Sequence, residues 1–215
     1  GGNLTLSATS TLDSQSGEAN DLSIALGTGN AVLNAAIGML NPLDELRIVS
    51  AMNVTAHSDI HAARIVQQAG SGTTTFANAV NTTDATLSGI DLTGTNFVFD
   101  GPVTTTGNGR VAIMHSGLLD IAPAVDMRLA GAFSESGTGT VELAGDIVTT
   151  GDAIHFGSPV TLTDGAAVDV LLDTTAVGNV AGAAITFDRS VNAQNAGVES
   201  LTLNAGTSGN VTFSS

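Results

Sequence analysis

One hydrophobic pattern recurs along the whole chain: two apolar residues separated by one position, then a further aliphatic residue four positions on. Residues i and i+2 share one face of a strand, and the small or turn-forming residues that follow bend the chain back into the same core. The pattern therefore predicts an all-β, parallel β-helix, or β-solenoid. Its six copies, the first two imperfect, are Ala31–Leu33 with Ile37, Thr74–Phe76 with Val80, Phe97–Phe99 with Val103, Val141–Leu143 with Ile147, Ile154–Phe156 with Val160 and Ile185–Phe187 with Val191.

Glycine-rich turn signals recur from one end of the chain to the other, and no linker interrupts them. The sequence thus predicts one solenoid domain over residues 1–215. Residues 31–46 fit the pattern least well, because Ala31–Leu40 is also compatible with a short helix before Asn41-Pro42; we predict a strand and an irregular corner. Apolar segment starts indicate about eleven coils, beginning near Leu4, Leu22, Leu46, Ile65, Leu87, Val111, Leu129, Ile154, Val170, Ile185 and Leu201.

The apolar residues are mostly small. Hydrophobic residues make up 42% of the chain, yet aromatic residues make up only 3%, and Trp, Tyr and Cys are absent. Small and β-branched side chains suit a narrow interior in which every coil stacks on the next. Four phenylalanines occupy the same place in their copies of the pattern, and all four are expected to point inward: Phe76, Phe99, Phe156 and Phe187.

The charge balance is strongly acidic, with 20 Asp and Glu against five Arg and no Lys, a formal charge of −15. Binding to nucleic acid or to an anionic membrane needs clustered cations, so neither is expected, and no apolar run is long enough for membrane insertion. The acidity is explained by the solubility of a repetitive surface; a divalent-cation requirement is the alternative. The lack of cysteine excludes disulfides and thiolate metal sites.

Two distant segments resemble each other: residues 21–33 and residues 200–213 share alternating apolar positions, a Gly-Thr turn and a second strand. This similarity suggests one repeat of a longer array or fibre. The first and last strand-like segments are both in mid-pattern, without a charged strand or helix to cover them. We therefore expect self-association head to tail, either between subunits or as consecutive repeats of one polypeptide.

Three Thr-, Asn- and Gly-rich segments resemble very long repetitive bacterial surface proteins: residues 200–213, 183–192 and 101–109. Such proteins are similar to filamentous-haemagglutinin-type adhesins in their parallel β-helix character. The resemblance implies export, an extracellular or cell-surface location, and a role in adhesion or fibre building. Possible partners would then be a host or neighbouring cell surface, or a polysaccharide. It transfers no functional residues.

The histidines give one candidate metal site. His57, Asp59 and His61 stand at alternate positions and are expected on one outward strand face. A solvated face without function is the simpler interpretation, with a weak surface metal site as the alternative. His115 and His155 stand alone in the sequence and are expected at the coil surface rather than as ligands.

Carboxylate groupings are the candidates for catalysis, since a carbohydrate-active β-helix would use them. The groupings are Asp146 with Asp152, Asp164 with Asp169 and Asp173, and Asp120 with Asp126. Most are at expected corners, where Asp caps turns, and the chain has no Trp or Tyr to stack on sugars. The expectation is therefore a structural module without catalytic, metal or cofactor residues; a polysaccharide lyase or hydrolase is the alternative.

Overall fold

The computed structural model describes residues 1–86, 88–123, 125–163 and 169–214, which form short strands joined by tight corners. In chain order the strands are β1 (Leu4–Leu6), β2 (Leu22–Ala25), β3 (Ala31–Leu33), β4 (Leu43–Ser50), β5 (Val54–Ala56), β6 (Ile60–Gln67), β7 (Thr73–Phe76), β8 (Val80–Thr82), β9 (Ser88–Gly94), β10 (Asn96–Phe99), β11 (Val103–Thr105), β12 (Arg110–His115), β13 (Leu118–Ile121), β14 (Asp126–Leu129), β15 (Phe133–Gly137), β16 (Thr140–Leu143), β17 (Asp146–Thr149), β18 (Ile154–Phe156), β19 (Val160–Leu162), β20 (Asp169–Asp173), β21 (Ile185–Phe187), β22 (Val191–Ala193), β23 (Ser200–Asn204) and β24 (Val211–Phe213).

The strands form three faces around one core, and every strand pair is parallel. Face A is the nine-stranded sheet β1-β3-β5-β7-β10-β13-β16-β19-β22. The 15-stranded sheet forms the other two faces. They are joined through β6, whose first half pairs with β8 and whose second half pairs with β9. Face B comprises the first half of β6 with β8, β11, β14, β17, β20 and β23; face C comprises β2, the second halves of β4 and β6, and β9, β12, β15, β18, β21 and β24.

The chain is therefore a parallel β-solenoid, as the sequence predicted, but it makes about eight turns rather than eleven. Each turn passes all three faces, although the first two turns reach face B only through the isolated bridges of Leu12 and Ile37. Phe97 pairs with Leu119 and Leu119 with Val141, so a turn is about 22 residues long there. The count of eleven was too high because some turns were counted twice. Leu4 and Leu22 lie on faces A and C of one turn, and Val170 and Ile185 on faces B and C of another; Leu87 is outside the described residues.

All six copies of the hydrophobic pattern form a strand, a bend and a return to the core. Their apolar members are buried, except Val191, which is half-buried. The copies occur at two different corners. Four, those starting at Ala31, Thr74, Phe97 and Val141, lead from face A to face B, whereas those starting at Ile154 and Ile185 lead from face C to face A.

The four phenylalanines of the pattern are buried, with at most 1% of their surface exposed, so the inward prediction is confirmed. They form two separate stacks. On face A, Phe76 stacks on Phe99 with ring centroids 5.1 Å apart. On face C, Phe133, Phe156, Phe187 and Phe213 follow one another at centroid distances of 5.2, 5.4 and 4.9 Å. Stacking at the spacing of neighbouring turns explains how a narrow core holds these rings.

Residues 31–46 form a strand and an irregular corner, as predicted. β3 is followed by bends, by Ile37 as an isolated bridge and by β4. The one helix among the described residues is a 3₁₀ turn, Ala176–Gly178. No helix of the described chain is long and apolar enough to cross a membrane.

The two similar segments both form strand, turn and strand, but on different faces. Residues 21–33 contain β2 on face C and β3 on face A, whereas residues 200–213 contain β23 on face B and β24 on face C. The shift between them is not a whole number of turns. The shared demands of a corner are enough to explain their similarity, and the tandem repeat stays a prediction.

Polar side chains satisfy the backbone where the chain turns from face C to face A. Asn3 Oδ1 accepts the amide of Asn30 at 2.9 Å, and Asn30 Oδ1 accepts the side-chain amide of Asn53 at 2.9 Å. The amide of Thr73 donates to Asn53 Oδ1 at 2.8 Å, and Asn96 Oδ1 continues the series by accepting the amide of Leu118. This asparagine ladder gives the backbone groups of a half-buried corner hydrogen-bond partners.

Candidate functional site

The three predicted carboxylate groupings do not assemble into a site within the described residues. Asp120 points outward from face A, while Asp126 begins β14 on face B and pairs with Arg128 at 3.0 Å. Asp146 Oδ1 accepts the amide of Leu171 at 2.8 Å, and the carbonyl of Asp152 accepts the Thr149 hydroxyl. The contacts of Asp146 and Asp152 therefore stabilise a neighbouring turn and a corner, respectively.

The third grouping serves the backbone as well. Asp173 Oδ1 accepts the amide and hydroxyl of Thr175 at 2.7 and 2.6 Å, which is a local turn motif. Asp169 accepts the hydroxyl of Ser200 on the adjacent strand. Asp164 is outside the described residues.

A different pair of carboxylates does come together, on the outer side of face A. Asp120 and Glu142 are register partners on β13 and β16, and both line a shallow groove of about 300 Å³ with Thr163 and Gln194. The two carboxylates stand side by side on one sheet. Glycoside hydrolysis needs two carboxyl groups that flank the scissile bond, and these two project from one sheet into one groove.

The His57, Asp59 and His61 segment does not form the single strand face that was expected. His57 and Asp59 lie in the corner between β5 and β6, and only His61 is in a strand. Asp59 Oδ1 accepts the amide of Ala79 at 3.2 Å, and His61 Nε2 is 3.1 Å from Asn81 Nδ2. Within the described residues no group of three His, Asp or Glu is placed to hold a metal ion.

His115 is not at the coil surface, so that expectation was wrong. Its side chain is fully buried, with Nε2 2.8 Å from Glu135 Oε1 and Nδ1 3.1 Å from the Gly117 carbonyl. Glu135 Oε2 accepts the amides of Gly157 and Ser158 at 3.1 and 3.0 Å. One buried pair thus connects the corners of three successive turns. His155, by contrast, is partly exposed and lies 2.9 Å from Asp188 Oδ2.

The hydrogen bonds that the Glu135 carboxylate accepts keep it ionised. Burial alone would raise the pKa of Glu135, but the hydrogen bonds from His115 and Ser158 outweigh it and hold the pKa below its ordinary 4.5. A carboxyl with a lowered folded-state pKa adds stability that is present above pH about 4.5 and is lost as the pH falls through the folded-state pKa.

Glycines make room for this pair. A Cβ at Gly139 would lie 2.5 Å from His115 Nδ1 and 1.8 Å from the Gly117 carbonyl oxygen. Gly137 has a φ of 136°, and a Cβ there would lie 1.8 Å from the His115 carbonyl oxygen. Both positions therefore require glycine, and the Gly137-Thr-Gly139 turn leaves the space that the buried His115 and Glu135 side chains occupy.

A second groove, of about 390 Å³, lies on the outer side of face B. Thr104, Arg128 and Val148 line it from neighbouring strands, and Val177 also lines it. Val177 is 91% exposed and has a φ of 58°, which is strained for a β-branched residue. The groove is mostly apolar and contains no aromatic side chain, so it lacks the stacking surface typical of sugar sites.

Both ends of the solenoid have strands with an unpaired edge. β1 and β2 have one neighbouring strand each, and so do β22, β23 and β24 at the opposite end. On β24, Val211 is 41% and Phe213 is 55% exposed. None of these five strands contains a charged residue, although charges and other devices usually protect sheet edges from further pairing.

No family model matches this chain, and comparisons with curated proteins and with solved structures give no match.

Proposed function

We propose that the protein is a structural module: a shaft segment of an extracellular or cell-surface fibre or adhesin that stacks end to end. One observation carries the proposal. The core continues from turn to turn along the chain and ends on uncharged edge strands whose inward positions are apolar. Such edges are templates for further strands, and head-to-tail contacts that do not close produce a filament.

The way the solenoid is stabilised supports a shaft. Each turn buries its aliphatic side chains against the neighbouring turns, so stability is a sum of nearest-neighbour terms. Further turns can therefore be added with the same kind of contact. Nine strands of face A stacked at roughly 4.8 Å give a rod about 40 Å long. Length and rigidity are what such a segment would contribute. An adhesin could in addition bind a cell surface or a polysaccharide.

A carbohydrate-active β-helix is the second candidate, and Asp120 with Glu142 in one groove is the observation that favours it. Release of reducing ends or unsaturated products from polysaccharides, lost in D120N/E142Q, would establish this activity. The lack of Trp and Tyr, the usual stacking surfaces for sugar rings, supports the shaft instead.

Sedimentation velocity tests the stacking. The wild-type chain should form larger species as its concentration rises, because association covers Val211 and Phe213. Phe213→Asp places a charge on the exposed edge and should keep the chain monomeric. Val177→Asp is the matched control, since Val177 is also exposed but lies away from the ends; it should behave as wild type. A wild-type chain that remains a monomer at every concentration would contradict the proposal.

A further inference from the structure

The inward side chains form columns that run the length of the solenoid, and these columns relate its two ends. On face A one column begins at Leu4 and ends at Val191, and a second begins at Leu6 and ends at Ala193. Both columns are apolar at each end. A strand like β1 placed after β22 would therefore continue them with small aliphatic residues.

Face C has the same relation between its ends. The column that ends at Val211 begins at Leu22, and the column that ends at Phe213 begins at Ile24. The exposed ring of Phe213 would thus lie next to β2. Ile24 itself is only 3% exposed, so Leu22 and the backbone of β2 offer most of the new contact there.

Face B shows the same relation between its two ends. Its column ends at Leu203 on β23 and begins, through isolated bridges, at Leu12. The order of faces is the same at both ends, and every strand pair in the solenoid is parallel. A rigid stacking of one copy on another therefore matches all three faces at once without reversing a strand.

The acidic residues of the two terminal turns, Asp13, Glu18, Asp21 and Glu199, lie outside the strands that meet. The five edge strands contain no Asp, Glu or Arg, whereas the chain as a whole has a formal charge of −15. Acidic side chains on the flanks of two coaxial rods stay on their outer surfaces, where salt screens them. The contact itself should consequently depend on apolar burial and backbone hydrogen bonds.

We propose a specific register for this contact, an inference that rests on the proposed stacking function. The last turn of one copy binds the first turn of a second copy, with β22 beside β1, β23 beside Leu12 and β24 beside β2. The interface is parallel and continues every column. It places Val191 beside Leu4, and Phe213 beside Ile24.

Outward residues on the paired strands allow a direct test, because the chain has no cysteine. Thr212 ends the outward column of face C that begins at Ser23, and both residues are exposed. Neighbouring parallel strands are about 4.8 Å apart, within the Cα separation that a disulfide spans. Oxidised S23C/T212C should give a ladder of covalent dimers, trimers and longer oligomers on a non-reducing gel. An intramolecular disulfide is excluded because the two residues are at opposite ends of the rod.

Matched controls separate the register from stacking as such. S23C/N192C joins face C to face A and should give no ladder, whereas T5C/N192C, the corresponding pair of face A, should give one. If sedimentation shows association but the in-register pairs do not crosslink, the register is wrong and the shaft proposal stands. Covalent dimers of T212C alone would indicate tail-to-tail contact and overturn the register. A monomer by sedimentation would overturn both proposals.

Discussion

Replacing His115 by leucine should destabilise the fold by about 3–5 kcal/mol, the usual cost of removing the partner of a buried charged group, here the Glu135 carboxylate. The substitution leaves the Glu135 carboxylate buried with only the amides of Gly157 and Ser158 as donors. Leucine fills much of the space of the imidazole, so the loss reports the interaction more than a cavity. Urea unfolding followed by circular dichroism measures it.

The double variant H115L/E135L is the control for this prediction. It removes the buried carboxylate together with its His115 partner and should cost less than the sum of the two single variants, because no uncompensated buried charge remains. The remaining loss comes from the Ser158 amide, about 1–3 kcal/mol for an unsatisfied buried group, since the Gly157 amide keeps its hydrogen bond to the Glu135 backbone carbonyl at 3.0 Å. Wild-type stability should also fall below pH about 4.5 more steeply than that of the double variant. Additive single effects, or a cost near zero for His115→Leu, would show that the pair is not coupled.

Replacing Phe156 by alanine should cost about 3–5 kcal/mol. Its ring is fully buried between Phe133 and Phe187, at centroid distances of 5.2 and 5.4 Å. A turn in the middle of the solenoid cannot collapse around the missing ring without shifting the turns on both sides. Denaturant unfolding at low protein concentration gives the difference in unfolding free energy.

Phe213→Ala is the matched control for Phe156→Ala. Phe213 belongs to the same stack but touches one ring, Phe187, and is 55% exposed. Its removal should cost only about 1 kcal/mol in the monomer. Equal losses for the two variants would contradict the placement of Phe156 in the interior and Phe213 at the edge.

The fold was predictable because a corner imposes a local pattern. Two inward residues, a bend and another inward residue lie within a few positions of one another. The two strands on either side of a corner can therefore be recognised without knowing which strands they pair with. The same pattern serves at both the face A to face B corner and the face C to face A corner. Local sequence therefore could not assign a strand to a face, and the number of turns came out too high.

The buried contact between His115 and Glu135 was missed, although the sequence contains a signal for it. Glu135 has the same parity as Phe133 on β15 and must point inward if Phe133 does. A charged residue at an inward position needs a buried partner; here that partner is His115, one turn away. The pairing distance along the chain is 20 residues, and it follows from the register between turns, which composition and local spacing do not determine.

The asparagine ladder has a clearer local signal. Asn3, Asn30, Asn53 and Asn96 each stand at or immediately before the first residue of a face A strand. Recurrent Asn at that position is a sequence feature that could have marked the corner between faces C and A. The acidic groove was harder to foresee, since Asp120 and Glu142 meet only through the pairing of β13 with β16.

Electron microscopy of the wild-type chain tests the shaft proposal most directly. One chain is a rod about 40 Å long at the strand spacing of roughly 4.8 Å. Concentrated protein should form unbranched rods of constant width that extend well beyond that length, and Phe213→Asp should return them to single units. Discrete particles of one length in the wild type, with both terminal turns covered by other parts of the assembly, would contradict the account.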